Sequence, residues 1–141
     1  MKRCMGVMLS LFAGMLLMGC APLPVVNADH EQVQREDGKQ LSLEDMEHAI
    51  RMAALMEDWK PEVVAPGHIV ATRRDDDNAW TLSVDITYSA TEYSVDYKDS
   101  HGLDYDPVKH VIAHHAHGMI SDLQDRIRDA VKDIVPAGTG N

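Results

Sequence analysis

Residues 80–98 read WTLSVDITYSATEYSVDYK, and their alternation decides the fold. Trp80, Leu82, Val84, Ile86 and Tyr88 alternate with Thr81, Ser83, Asp85 and Thr87. After Ser89-Ala90-Thr91, the residues Tyr93, Val95 and Tyr97 alternate in the same way with Glu92, Ser94, Asp96 and Lys98. A period of two sends successive side chains to opposite faces, so both runs predict strands with one buried and one wet face. The connection between them is short enough for a hairpin. Upstream, residues 67–74 (GHIVATRR) predict another strand, closed by the turn-rich run Asp75-Asp76-Asp77-Asn78.

Helical patterns flank this meander. Ser42 and Asp45 form a short variant of the capping box, and Glu44 and Asp45 lie in the first turn, where the helix dipole favours anions. The first helix is predicted to run to about Asp58 and to stop before Pro61. Leu43, Met46, Ile50, Ala53 and Ala54 share its core face. A last helix is predicted to start near Asp106-Pro107, with Asp as N-cap and Pro at the first helical position. Its stripe is Ile112, Ala116, Met119, Ile120, Leu123, Ile127, Ala130 and Ile134, and Pro136 and Gly138 end it. Gly118 within it costs about 1 kcal/mol against Ala. The expected fold is therefore α+β: a two-layer α-β-β-β-α domain, a three-stranded antiparallel meander with two helices packed on one face.

The remaining ends decide the address. Lys2 and Arg3 precede Met5–Met18, an uncharged and mostly apolar run of 14 residues. A membrane span needs roughly 20 such residues, so the run has the size and flanks of a secretory h-region instead. Leu17-Met18-Gly19-Cys20 then resembles the lipobox of bacterial lipoproteins, in which the cysteine is acylated and becomes the first mature residue. Met18 is larger than the residue usual at its position. In such proteins a residue other than Asp after the cysteine goes with outer-membrane sorting, and here it is Ala21. The resemblance implies a covalent lipid on Cys20 and a chain anchored in the outer membrane, facing the periplasm.

Four segments follow: 1–19, a cleaved signal peptide; 20–40, the lipidated Cys and a flexible tether; 41–135, the α+β domain; and 136–141, a flexible tail. The tether expectation rests on two prolines, few large apolar residues and no periodicity in residues 21–40. Cys4 leaves with the signal and Cys20 carries lipid, which excludes disulfides, thiolate metal sites and cysteine nucleophiles in the mature domain.

A second likeness covers most of the mature domain. Trp59, Pro66-Gly67-His68-Ile69-Val70-Ala71, Ile86-Thr87-Tyr88, residues 93–100 (YSVDYKDS), Leu103-Asp104-Tyr105 and Ile120-Ser121-Asp122-Leu123 resemble a group of small uncharacterised bacterial lipoproteins. In that group the final helix opens with a His, a Tyr-Asn pair and a Trp, where this chain has Ala113, Ala116-His117 and Met119. The group implies no particular activity.

Composition narrows the function. With 13 Lys+Arg against 23 Asp+Glu the chain carries a net −10, which repels phosphate backbones and argues against nucleic acid as a partner. A G-x-S-x-G elbow, an H-E-x-x-H helix and a phosphate-binding Gly-rich loop are all missing from the sequence. The expectation is a protein that binds or scaffolds, not an enzyme.

Two constellations are candidates for contact. On a helix begun at Asp106, the side chains of His110, His114 and His117 gather opposite the apolar stripe, and imidazoles three and four apart can share a metal. This face reads either as a solvated histidine surface or as a weak site for Zn, Ni or Cu. Histidine is the side-chain type that changes charge near neutral pH, so the same cluster also reads as a candidate charge switch. Met52, Leu55, Met56 and Trp59 lie on the first helix away from its core face and form a candidate patch for an envelope protein partner. The alternative is that they tuck against the connection after the helix. Asp75–Asp77 lack the spacing of a calcium loop and read as a turn. Asp104 and Asp106 read as loop and cap residues, and His68 and His101 as isolated strand and turn residues.

Overall fold

The computed structural model describes residues 22–25 and 27–136. In chain order these form β1 (Leu23–Pro24), β2 (Ala28–Gln32), α1 (Leu43–Met56), β3 (Lys60–Ala65), β4 (His68–Arg74), β5 (Thr81–Tyr88), β6 (Glu92–His101), β7 (Val111–Ile112) and α2 (His114–Asp133). The class is α+β, as expected. The signal peptide, Cys20 and residues 137–141 lie outside the described residues.

The alternation at the centre is realised directly. Leu82, Val84 and Ile86 of β5 are buried, while Thr81, Ser83 and Asp85 keep contact with solvent. Tyr93 and Val95 of β6 are buried opposite Tyr88 and Ile86. Ile69 and Ala71 of β4 join them, and the buried residues of both helices complete a single core.

The three-stranded meander is corrected to a five-stranded antiparallel sheet of order β2-β6-β5-β4-β3, with β1 and β7 pairing separately. Its two edge strands escaped the sequence reading because neither alternates. β3 (KPEVVA) is solvent-exposed over nearly all its length, and β2 buries only Ala28. Pro61 and Lys60 suit an edge, where a missing N–H and a charge are tolerated and deter further pairing.

The flexible tether is corrected from Pro22 onward. Leu23 and Pro24 pair with Ile112 and Val111, and β2 pairs with β6. Further on, the Val33 N–H donates to the Thr91 carbonyl at 2.9 Å. The almost fully covered Arg35 side chain donates to the Val131 carbonyl at 2.9 Å and to Asp37 at 2.6 Å. Backbone pairing holds this polar segment, and backbone pairing leaves no hydrophobic signature.

Helix α1 begins as its sequence predicts. Ser42 Oγ accepts from the Asp45 N–H and the Asp45 carboxylate accepts from the Ser42 N–H, each at 3.0 Å. At the other end Asp58 adopts φ 61°. The Asp58 N–H then donates to the Leu55 carbonyl and the Trp59 N–H to the Ala54 carbonyl, the paired bonds of a Schellman motif with Asp in the place usually held by Gly. The reversal aims the chain into β3 and carries Trp59 into the core.

Helix α2 begins later than predicted. Asp106 does accept from two backbone N–H groups, those of Val108 and Lys109. It thereby closes a turn instead of opening a helix, because His110 takes φ 52° and Val111 bridges back to Asp106. The helix starts at His114, where the N-cap Ala113 offers no side-chain bond. Of the expected stripe, Ala116, Met119, Ile120, Leu123 and Ile127 are buried on α2, whereas Ile112 is buried in β7 and Ala130 and Ile134 are half-buried.

Candidate functional site

One cleft among the described residues has a volume of about 740 Å³. It lies where the end of β6 and the loop after it meet the chain around Val25 and Asn27. The volume falls within the range of small-ligand pockets. Its floor is an aromatic pair. Tyr97 and Tyr105 stack with ring centres 4.3 Å apart and planes 26° from parallel.

Local conformations build this floor. A bulge in the β5–β6 pairing, between Ser83 and Val84, breaks the alternation next to Tyr97. The Tyr97 N–H then donates to Asn27 Oδ1 at 3.0 Å, and its hydroxyl lies 2.8 Å from Ser100 Oγ. Gly102 turns the chain at φ 69°, where an added Cβ would collide with the Ala79 carbonyl oxygen. Asp104 and His110 follow at φ 50° and 52°. Left-handed conformations in non-glycine residues cost energy and cluster at sites where the surroundings enforce them. His110 Nδ1 sits 3.5 Å from the Tyr105 hydroxyl.

The surroundings of Tyr97 favour its neutral form. Burial pushes the Tyr97 phenol above its ordinary value, and Asp99 and Tyr105 add to this while the Ser100 hydrogen bond opposes it. Lys98 lies on the rim with its Nζ 3.3 Å from an Asp85 carboxylate oxygen. Asp85 also receives His68, whose Nε2 is 2.6 Å away, so His68 is paired and not isolated. The cleft therefore presents ring faces and hydroxyls with carboxylates at its rim, a lining suited to a polar ligand with a flat face.

The expected histidine face divides. His110 lies outside α2 and lines the cleft, which corrects its placement on the helix. His114 lines a second cavity of about 440 Å³ with Pro22, Asp104, Ala113 and His115, while His117 is half-buried in the first turns of α2. The shared helical face that motivated capture of Zn, Ni or Cu is thus not formed by these three residues. Among the described residues there is no group of three or more His, Cys, Asp or Glu placed to hold a metal ion.

The helical patch also divides. Met52, Leu55 and Met56 are 46%, 53% and 63% exposed, whereas Trp59 is 1% exposed and belongs to the core. Trp59 is removed from the patch by the left-handed Asp58 before it, and its buried Nε1 has no hydrogen-bond partner. Cys20 lies outside the described residues. Among those described, no helix is long and apolar enough to cross a membrane.

Sequence reasoning missed Tyr97 and Tyr105 as a pair. Tyr97 keeps the inward register of Val95, opposite Val84, and the chain after β6 returns to lay Tyr105 on its ring, a contact that strand periodicity does not encode. Comparison with family models, curated proteins and solved structures returned no match.

Proposed function

We propose that the chain is a lipid-anchored lipoprotein of the bacterial outer membrane, facing the periplasm, that acts by binding or scaffolding without catalysis. The lipobox-like Leu17–Cys20 supports the anchor. Several acyl chains, each methylene contributing about 0.8 kcal/mol, hold such a protein stably. Anchoring then raises the effective concentration of the domain for partners at the same surface.

The observation that carries the binding reading is the stacked Tyr97–Tyr105 pair flooring the 740 Å³ cleft. Two half-buried phenols offer broad, rigid contact at low entropic cost. The left-handed residues around them hold that surface in place before any ligand arrives. Met52, Leu55 and Met56 offer a second, adaptable contact for an envelope protein.

Crosslinking the anchored protein in its own envelope tests this. The crosslinked species should disappear with Tyr105→Ala, and Cys20→Ala should release the protein from the membrane fraction. Crosslinks that survive Tyr105→Ala but vanish with Met56→Asp would move the binding surface to α1.

A further inference from the structure

Resting on the lipid anchor proposed above, we infer that one end of the domain lies directly against the bilayer, with Val108 in the zwitterionic lipid interface. This end carries Pro22, the turn at residues 106–110 and the first turn of α2. Cys20 precedes Pro22 by two residues, which span at most about 7 Å. From there the chain is committed. Pro22 lines a cavity with Ala113 and His114, Leu23 and Pro24 pair with β7, and the Val25 N–H donates to the His110 carbonyl at 3.0 Å. A folded unit of this size has a radius of gyration of about 13 Å. The spacer is shorter than that radius, so this end cannot withdraw from the headgroups. A 20-residue coil would have averaged about 25 Å and left the orientation free.

The surface at this end fits the position. Val108 is 86% exposed, the most exposed large hydrophobic residue among those described. Its exposure is not fraying, because Asp106 Oδ1 accepts from the Val108 and Lys109 N–H groups at 2.9 and 3.1 Å and Asp106 bridges to Val111. Lys109 stands beside it, with a stem suited to lying along lipid while its ammonium stays among headgroups. From Val108 to Gly118 the chain has no carboxylate, whereas α2 further on carries Asp122, Asp125, Asp129 and Asp133.

The carboxylates that do reach this end choose the lipid. Asp104 lines the cavity beside His114, and Asp106 lies 3.7 Å from Lys109. The turn of Asp75–Asp77 approaches through Trp80, whose ring meets His115 at 5.9 Å. Together they oppose a strongly anionic layer and leave a zwitterionic one. A single valine adds little affinity beside the acyl chains, so this contact sets orientation. The cleft shares Asp104 and His110 with this surface, and its ligand is therefore met at headgroup height.

The test uses the full-length, acylated protein in phosphatidylethanolamine-rich vesicles, carrying a fluorophore at Val108→Cys or Asp129→Cys. No other thiol remains once Cys4 has left and Cys20 is acylated. A lipid-borne quencher should act at least twofold more strongly at position 108 than at 129, which stands about 22 Å from the start of α2 along its axis. Inserting twenty Gly/Ser residues between Ala21 and Pro22 should erase the difference while the protein stays bound. Equal quenching in acylated, bound protein, or a difference that survives the insertion, overturns the inference alone. An unmodified Cys20 by mass overturns the anchor and the inference together.

Discussion

The two helices begin in opposite ways. Helix α1 starts where its own residues say it should, because Ser42 and Asp45 satisfy each other's backbone donors across three residues. Helix α2 starts where a distant strand allows it. Leu23 and Pro24 take Ile112 and Val111 into a two-stranded sheet, so Asp106 closes a turn and the helix waits until His114. Local chemistry nominates helix starts, and long-range pairing can veto them. The cleft and the proposed membrane-facing surface both belong to the vetoed region.

The contrast can be broken most severely at Gly102. Gly102→Ala places a Cβ against the Ala79 carbonyl in a left-handed residue, and should cost about 4 kcal/mol. Urea unfolding measures this, and a loss below 1 kcal/mol would mean that the loop relaxes freely. Ile112→Ala removes the fully buried side chain of β7 and should cost about 3 kcal/mol. It should also loosen the start of α2, seen as faster amide exchange at Ala116 and His117, while α1 is unaffected.

Alkali probes the core beneath α2. Burial pushes the Tyr93 phenol from the ordinary 10.0 to about 12, with Arg128 opposing and Glu31, Asp125 and Asp129 adding. Its contribution is fully present below pH 10 and is lost as pH rises toward about 12, because the unfolded chain releases the proton first. About 2 kcal/mol should disappear across that window. Tyr93→Phe should flatten the curve, and an unchanged slope would assign the loss to other groups.

The smaller effects sharpen the comparison. Ser42→Ala should cost about 1 kcal/mol and be felt only in α1, with no change in exchange at the start of α2. Gly118→Ala adds a methyl group that meets nothing within 4 Å, and should stabilise by about 0.8 kcal/mol in thermal unfolding.

The central strands, α1 and the apolar stripe of α2 were legible because each is written in the spacing of its own side chains. Edge strands β2 and β3 were not, since an edge buries too little to alternate. The candidate site was legible only in fragments. His110 was singled out, but for a helical face that the structure does not build. Met52, Leu55 and Met56 were rightly read as lying off the core face, while Trp59 was misplaced because one left-handed aspartate redirects it.

The sequence alone determined the α+β class, the hairpin at the centre and most of the buried face of each helix (Leu43 is 41% exposed and Ile112 belongs to β7), because side-chain periodicity is a local property of the chain. Tertiary structure decided the number of strands, the start of α2, the binding of the segment after Pro22 and the meeting of Tyr97 with Tyr105. Each of those depends on backbone hydrogen bonds or ring contacts between distant residues. Backbone groups are the same in every residue, so nothing in side-chain order announces which of them will pair.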